Sequence, residues 1–236
     1  MSPARLKYRH LFFDLDHTLW DFALNSQQVL HELFADYDLH QKLAIEVREF
    51  ITTYQHINDR LWGLYRQGKI TKERLRIERF LSTLATFGLP DKELAKTLEG
   101  EYLRRAPYQK GLMVGCLPML DALKTHFQLH IITNGFNETQ HIKLKESGLR
   151  PYFDLILTSD QVQVHKPQAK IFIEALKRTG AQRSDSIMIG DNLLADIQGA
   201  RNVGIDQVFY NPLKTKHQEK PTFEITQLAD LPPLLL

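Results

Sequence analysis

The sequence predicts an α/β protein built on a parallel sheet, with an all-helical subdomain inserted after the first strand. Three observations lead there. Short apolar runs recur without clean alternation, as strands buried on both faces do. Helical patterns separate the later runs, which is the rhythm of βαβ units with right-handed crossovers. Residues 22–106 break that rhythm and carry no convincing strand signal.

Taken in order, the first strand is HLFFD at 10–14, followed by the helical stretch 22–106, which reads as about four helices. QKLAIEVREFITTYQHINDRLWGLYRQG is a single long amphipathic run ending at Gly68. TKERLRIERFLSTLATFG follows with Thr71 as N-cap, and PDKELAKTLEGEYLRRA closes the set after Pro90. This block is far longer than a crossover needs, so it is expected to form a subdomain over 21–106, with 1–20 and 107–236 forming the core. The second strand is LHIITN at 129–134, then a helix in NETQHIKLKESG at 137–148, and a strand DLILTS at 154–159. The helix in PQAKIFIEALKRTG at 167–180 opens on Pro and keeps Ile171, Ala175 and Leu176 at helical spacing. It stops at Gly180, a residue suited to a C-terminal cap. SIMIGD at 186–191 and QVFYN at 207–211 complete the expected strands.

Composition narrows the function classes. A chain of 236 residues that is 43% hydrophobic can bury a sizeable core. Its formal charge of +2, with basic residues scattered among acidic ones, does not suit binding to a nucleic acid polymer. The single cysteine, Cys116, allows no intramolecular disulfide, fits a reducing compartment and is expected to be a small buried side chain. MSPARLKYRH is followed by too short an apolar run for a signal peptide, and LPPLLL is far shorter than the ~20 residues that span a bilayer. A cytoplasmic protein with no membrane partner is the expectation.

In an open parallel sheet, ligands bind outside the carboxyl ends of the strands. The residues there are Asp14, Asp16 and Thr18 after the first run, Thr133, Asn134 and Gly135 after the second, Lys166 after the third, and Asp191 and Asp196 after the fourth. Converging carboxylates repel unless a cation relieves them. Mg2+ suits such a site, because it takes one or two carboxylates together with substrate phosphate oxygens, and Asp14 with Asp191 is the natural pair. Lys166, the Thr133 hydroxyl and the main-chain N–H groups of Asn134 and Gly135 suit an anion. Asp14 can then attack phosphorus, and Asp16 can protonate the leaving oxygen and later deprotonate water.

DLDHT at 14–18, TNG at 133–135, HKP at 165–167 and GDNLLAD at 190–196 resemble, in order and spacing, the four motifs of the haloacid dehalogenase-like (HAD) hydrolase superfamily. The resemblance spans essentially the whole chain. It implies a Rossmann-like core with a helical cap inserted after the first motif. Carried across, it makes Asp14 the nucleophile and Asp16 the general acid/base, with the Asp16 main-chain carbonyl also facing the metal. Thr133, Asn134 and Lys166 match phosphate-binding positions, Asp191 a metal ligand, and Asp196 the acid that orients Lys166 or a metal-bound water. Dehalogenase members lack the second Asp, so its presence implies a phosphatase or mutase. TLWDF at 18–22, the segment 58–80 and TNGFNETQHIKLKESGL at 133–149 look like the pyrimidine 5′-nucleotidase branch, whose substrates are nucleoside monophosphates. The rivals are a sugar-phosphate phosphatase or phosphoglucomutase-like mutase, and a catalytically silent partner-binding protein.

Around these positions the expectations are plainer. Thr18 braces its turn, the Asn134 side chain holds its loop, and His17 and His165 are not catalytic. Trp62, Tyr65 and Phe80 belong to a helix core, KITKERLRIER is a solvated face, and Trp20 with Phe22 could stack on a base.

Overall fold

The computed structural model describes residues 7–236. The described residues fold as two compact units, residues 7–22 with Lys110–Leu236, and Ala23–Gln109.

The first unit holds a sheet of six parallel strands: β1 (His10–Phe13), β2 (Gln128–Thr133), β3 (Leu155–Thr158), β4 (Ser186–Gly190), β5 (Asp206–Tyr210) and β6 (Phe223–Ile225). Their order is β3, β2, β1, β4, β5, β6. The chain moves outward from β1 in one direction and then from β4 in the other, so the topological switch lies between β1 and β4. Their register sets Phe13 against Ile189, and Asp14 extends the ladder by donating its N–H to the Ile189 carbonyl at 2.9 Å. The two acidic strand ends are therefore neighbours. A sixth strand so short gives no periodic signal, and β6 lies beyond the runs legible in the sequence.

Both faces of the sheet are buried, which explains why the strands read as unbroken apolar runs. Leu11, Phe13, Leu129, Ile131, Ile187 and Ile189 point into one layer with Met119, Leu120 and Leu123 of the helix Cys116–Lys124. Phe12, Ile132, Leu157 and Met188 point into the other, against Ile171, Phe172 and Ala175 of the helix Ala169–Thr179. Cys116 is buried as expected, and burial pushes its thiol up to about 12, which disfavours the thiolate.

The second unit packs α1 (Phe22–Asp36), α2 (Leu39–Leu43), α3 (Val47–Arg66), α4 (Lys72–Thr86) and α5 (Lys92–Arg105) around Leu30, Phe34, Phe50, Tyr54, Phe80 and Leu98. Thr71 caps α4 through a hydrogen bond from the Arg74 N–H, and Asp91 caps α5 through the N–H groups of Glu93 and Leu94. Such caps contribute about 1 kcal/mol each. Three expectations are corrected. The run expected to be one helix to Gly68 is split at Ala44, whose left-handed φ of 53° ends α2, and Glu46 with Glu49 forms a capping box that starts α3. KITKERLRIER is not solvated throughout: Arg79 is buried and holds Glu99 through two hydrogen bonds, at 2.8 and 2.9 Å. Phe80 joins the core as expected, whereas Trp62 and Tyr65 are only half-buried and meet edge to face.

In the first unit the chain continues past β2 and β3 with α6 (Cys116–Lys124) before β2, α7 (Asn137–Glu146) after it, α8 (Ser159–Val162) after β3 and α9 (Ala169–Thr179) before β4. A π-helical turn, Leu193–Gln198, follows β4.

Candidate active site

Past β1 the chain leaves the strand at once. The N–H groups of Leu19 and Trp20 both donate to the Leu15 carbonyl, His17 takes a left-handed φ of 65°, and its N–H donates to the Trp20 carbonyl. This tight turn puts Thr18 beneath the neighbouring strand end, where its hydroxyl donates to Asp191 Oδ1 at 3.0 Å. The Thr18 hydroxyl thus braces the Asp191 carboxylate.

Lys166 is the hub of the acidic cluster. Its ammonium donates to Asp14 Oδ1 at 2.6 Å, to Asp196 Oδ1 at 2.6 Å and to the Ile132 carbonyl at 2.7 Å. All three ammonium protons are thereby engaged. Lys166 acts at this site as a fixed positive charge against Asp14, rather than as a loose donor. Asp196 is wholly buried, and its second oxygen accepts from the Asn192 N–H at 3.0 Å. A side chain on Gly190 would meet Asp196 Oδ2 at 2.3 Å, so the glycine of GDNLLAD makes room for that carboxylate. The Asn134 amide clasps the Lys166 main chain in both directions, accepting from its N–H at 2.8 Å and donating to its carbonyl at 3.0 Å.

Electrostatics follow from this crowding. Burial pushes the Asp14 carboxyl up to about 7, against the pull of Lys166. Burial and the neighbouring Asp14 push Asp191 up to about 6, and burial raises Asp196 as well. Burial works against the Lys166 ammonium, but Asp14 and Asp196 outweigh it and hold the amine above the usual lysine value. Carboxylate oxygens of Asp14, Asp191 and Asp196 lie within 4.8 Å of one another. One lysine does not balance three such acids. The donor set fits a hard divalent cation: the protein holds one oxygen of Asp14 through Lys166 and one of Asp191 through Thr18, while both Asp196 oxygens are engaged. Asp14 and Asp191 are the pair with oxygen to offer.

Asp16 stands apart from that cluster. Its Oδ2 accepts from Gln140 Nε2 at 2.9 Å and its Oδ1 from the Lys143 ammonium at 2.6 Å. Gln140 also donates to Thr133 Oγ1 at 2.7 Å, and the Gly135 N–H donates to the same oxygen at 3.1 Å. Both lone pairs of the Thr133 hydroxyl are thus taken, which leaves its proton to donate. The Gly135 N–H, expected to serve an anion, is engaged by Thr133 instead. Trp20 is buried, with the Lys143 ammonium 4.3 Å from its ring centre, so it offers no stacking face of the kind expected. Phe22 is half-buried beside it. Gln140 and Lys143 were not singled out from the sequence. The signal available was their spacing of three on a helix that opens just past TNG.

Comparison with known proteins is consistent over nearly the whole chain. Residues 11–210 match the family model described as haloacid dehalogenase-like hydrolase. The pyrimidine 5′-nucleotidase PynA of Streptococcus pneumoniae is 34% identical over 95% of this chain and 93% of its own length. The pyrimidine 5′-nucleotidase YjjG of Escherichia coli is 32% identical, covering 98% of this chain and 99% of its own. Among solved structures, the HAD-hydrolase YfnB of Bacillus subtilis, bound to magnesium, superposes with a TM-score of 0.88 at 31% identity, over 97% of this chain and 99% of that one.

Proposed function

Since the chain belongs to the haloacid dehalogenase-like hydrolase family, we propose that it removes the 5′-phosphate from pyrimidine nucleoside monophosphates through an aspartyl-phosphate on Asp14. The observation that carries this reading is the clasp of Lys166 on Asp14 beside Asp191, with a second acid, Asp16, two residues on. The nucleotide preference is supported by similarity to PynA and YjjG along nearly the whole chain.

In this reading the sheet unit is the catalytic core and the helical unit is the cap. Lys166 orients the Asp14 carboxylate through Oδ1 and keeps its charge compensated while the phosphoryl group arrives. The Thr133 hydroxyl and the Asn134 N–H donate to phosphate oxygens. Asp14 forms a bond to phosphorus as the ester P–O bond breaks, and Asp16 gives its proton to the departing nucleoside oxygen. Asp16 then takes a proton from water, which attacks the acyl-phosphate, releases inorganic phosphate and restores Asp14. Mg2+ would be held by Asp14, Asp191 and the Asp16 main-chain carbonyl, and supplies positive charge to the phosphoryl oxygens. Asp196 and Thr18 keep Lys166 and Asp191 in place.

Phosphate release from UMP, dUMP, dTMP, hexose phosphates and p-nitrophenyl phosphate, with Mg2+ or with EDTA, tests the proposal. Mg2+-dependent release, fastest from the pyrimidine nucleotides, is expected. Preference for hexose phosphates would replace the nucleotidase with a sugar-phosphate phosphatase. Inertness towards every ester would favour a silent binding protein.

A further inference from the structure

We propose that Lys143 and Gln140 are positioning residues that fix the orientation of the Asp16 carboxylate from α7, an inference that rests on Asp16 acting as the general acid/base. Neither residue lies in the four motifs, and neither touches the Asp14, Asp191 and Asp196 cluster. Both Asp16 oxygens are held from this one helix, at 2.9 and 2.6 Å. The Asp16 side chain keeps about a fifth of its surface exposed, at 22%. Without those partners it would be free to turn between rotamers. A general acid works only within hydrogen-bond reach of the leaving oxygen, so a wandering carboxylate forfeits much of its effect.

The supports of the two donors are unusual for polar side chains. Gln140 is completely buried, and its one amide nitrogen links Asp16 to Thr133, tying the acid to the phosphate-binding hydroxyl. Gly135 makes this possible, because a Cβ there would stand 2.2 Å from Gln140 Nε2. The glycine of TNG thus admits a side chain from the next turn of chain. Lys143 is also buried, with its ammonium 4.3 Å from the Trp20 ring centre and 5.5 Å from that of Phe22. A lysine laid on aromatic faces, with its charge turned to one carboxylate, has lost the freedom of a surface lysine. Trp20 in turn closes the loop that carries Asp16, through its carbonyl and the His17 N–H. Acid, loop and helix form one interlocked set.

Leaving groups separate positioning of the acid from plain structural support. The nucleoside alkoxide of UMP needs a proton, whereas p-nitrophenolate leaves with little help. Lys143→Met keeps an apolar stem on Trp20 and removes the ammonium. In the pre-steady-state burst, which reads departure of the leaving group before water attacks the acyl-phosphate common to both esters, the variant is expected to slow uridine release about 100-fold and p-nitrophenolate release by less than about tenfold, matching the pattern of Asp16→Asn. In an Asp16→Asn background, Lys143→Met is expected to cost nothing further. Equal burst losses on both esters, unchanged burst rates on both, or losses that add in the double variant would overturn the assignment. Should Lys143→Met fail to fold, Lys143→Leu carries the same comparison, again with the ammonium removed. Wild-type protein inert on p-nitrophenyl phosphate would instead count against the phosphatase reading, a separate failure.

Discussion

At the scale of single residues, the site is organised by who occupies each oxygen and each proton. Lys166 is legible in the sequence as a cation near acids, but its three contacts are not, since one of them is the Ile132 carbonyl on another strand. Asp16 is legible as a second acid, whereas its attachment to α7 depends on Gln140 and Lys143 reaching across 124 and 127 positions of sequence. Main-chain and helix-to-loop contacts of this kind leave no spacing to read. Gly190 gives a sharp test of the packing behind Lys166. Gly190→Ala drives a methyl against Asp196, which is completely buried and cannot swing away. We expect a loss of stability of about 1–3 kcal/mol in thermal unfolding, together with at least a tenfold fall in kcat. Unchanged kcat would show that Asp196 does not position Lys166.

At the scale of elements, the strands were the most legible part, because burial on both faces leaves each as an apolar run. The ends of helices were less so. Glu46 starts α3 through a reciprocal box with Glu49, and the surrounding residues keep helical spacing on both sides of the break at Ala44. Polar residues inside elements have consequences of their own. His10 of β1 and His130 of β2 are buried with stacked rings, 3.2 Å apart between Nδ1 of the first and Nε2 of the second. Burial lowers both, and with the neighbouring His10 takes His130 down to about 4. The unfolded chain therefore binds protons near the ordinary value of 6.5 before the folded one does. Stability is full above that value and falls as pH drops towards 4, by up to about 3 kcal/mol for His130. Urea unfolding between pH 7 and pH 4 measures it, and His130→Leu is expected to flatten that slope. An equally steep slope in the variant would place the acid sensitivity elsewhere.

At the scale of the whole molecule, fold class followed from recurring apolar runs separated by helical patterns and family from four motifs, and the structure and comparisons agree on both. The helical unit was legible as helices but not as a core with a charge inside it. Arg79 and Glu99 are nearly dry, and burial raises Glu99 against the pull of Arg79. Asn58 lies 3.5 Å from the same guanidinium. Arg79→Met leaves Glu99 without its partner and is expected to destabilise that unit by about 3–5 kcal/mol. Arg79→Met with Glu99→Leu should recover most of it, as judged by denaturant unfolding. A double variant no better than the single one would mean that packing, not charge, holds the pair.

The proposal that Asp14 carries the phosphoryl group can be put to a direct chemical trial. Protein turning over a pyrimidine nucleotide with Mg2+ is quenched, reduced with borohydride to convert any acyl-phosphate to an alcohol, and sequenced as peptides. Homoserine at position 14, and none in protein incubated without substrate, is the predicted result. Reduction at another carboxylate, or at none while phosphate is still released, would contradict the covalent role assigned to Asp14.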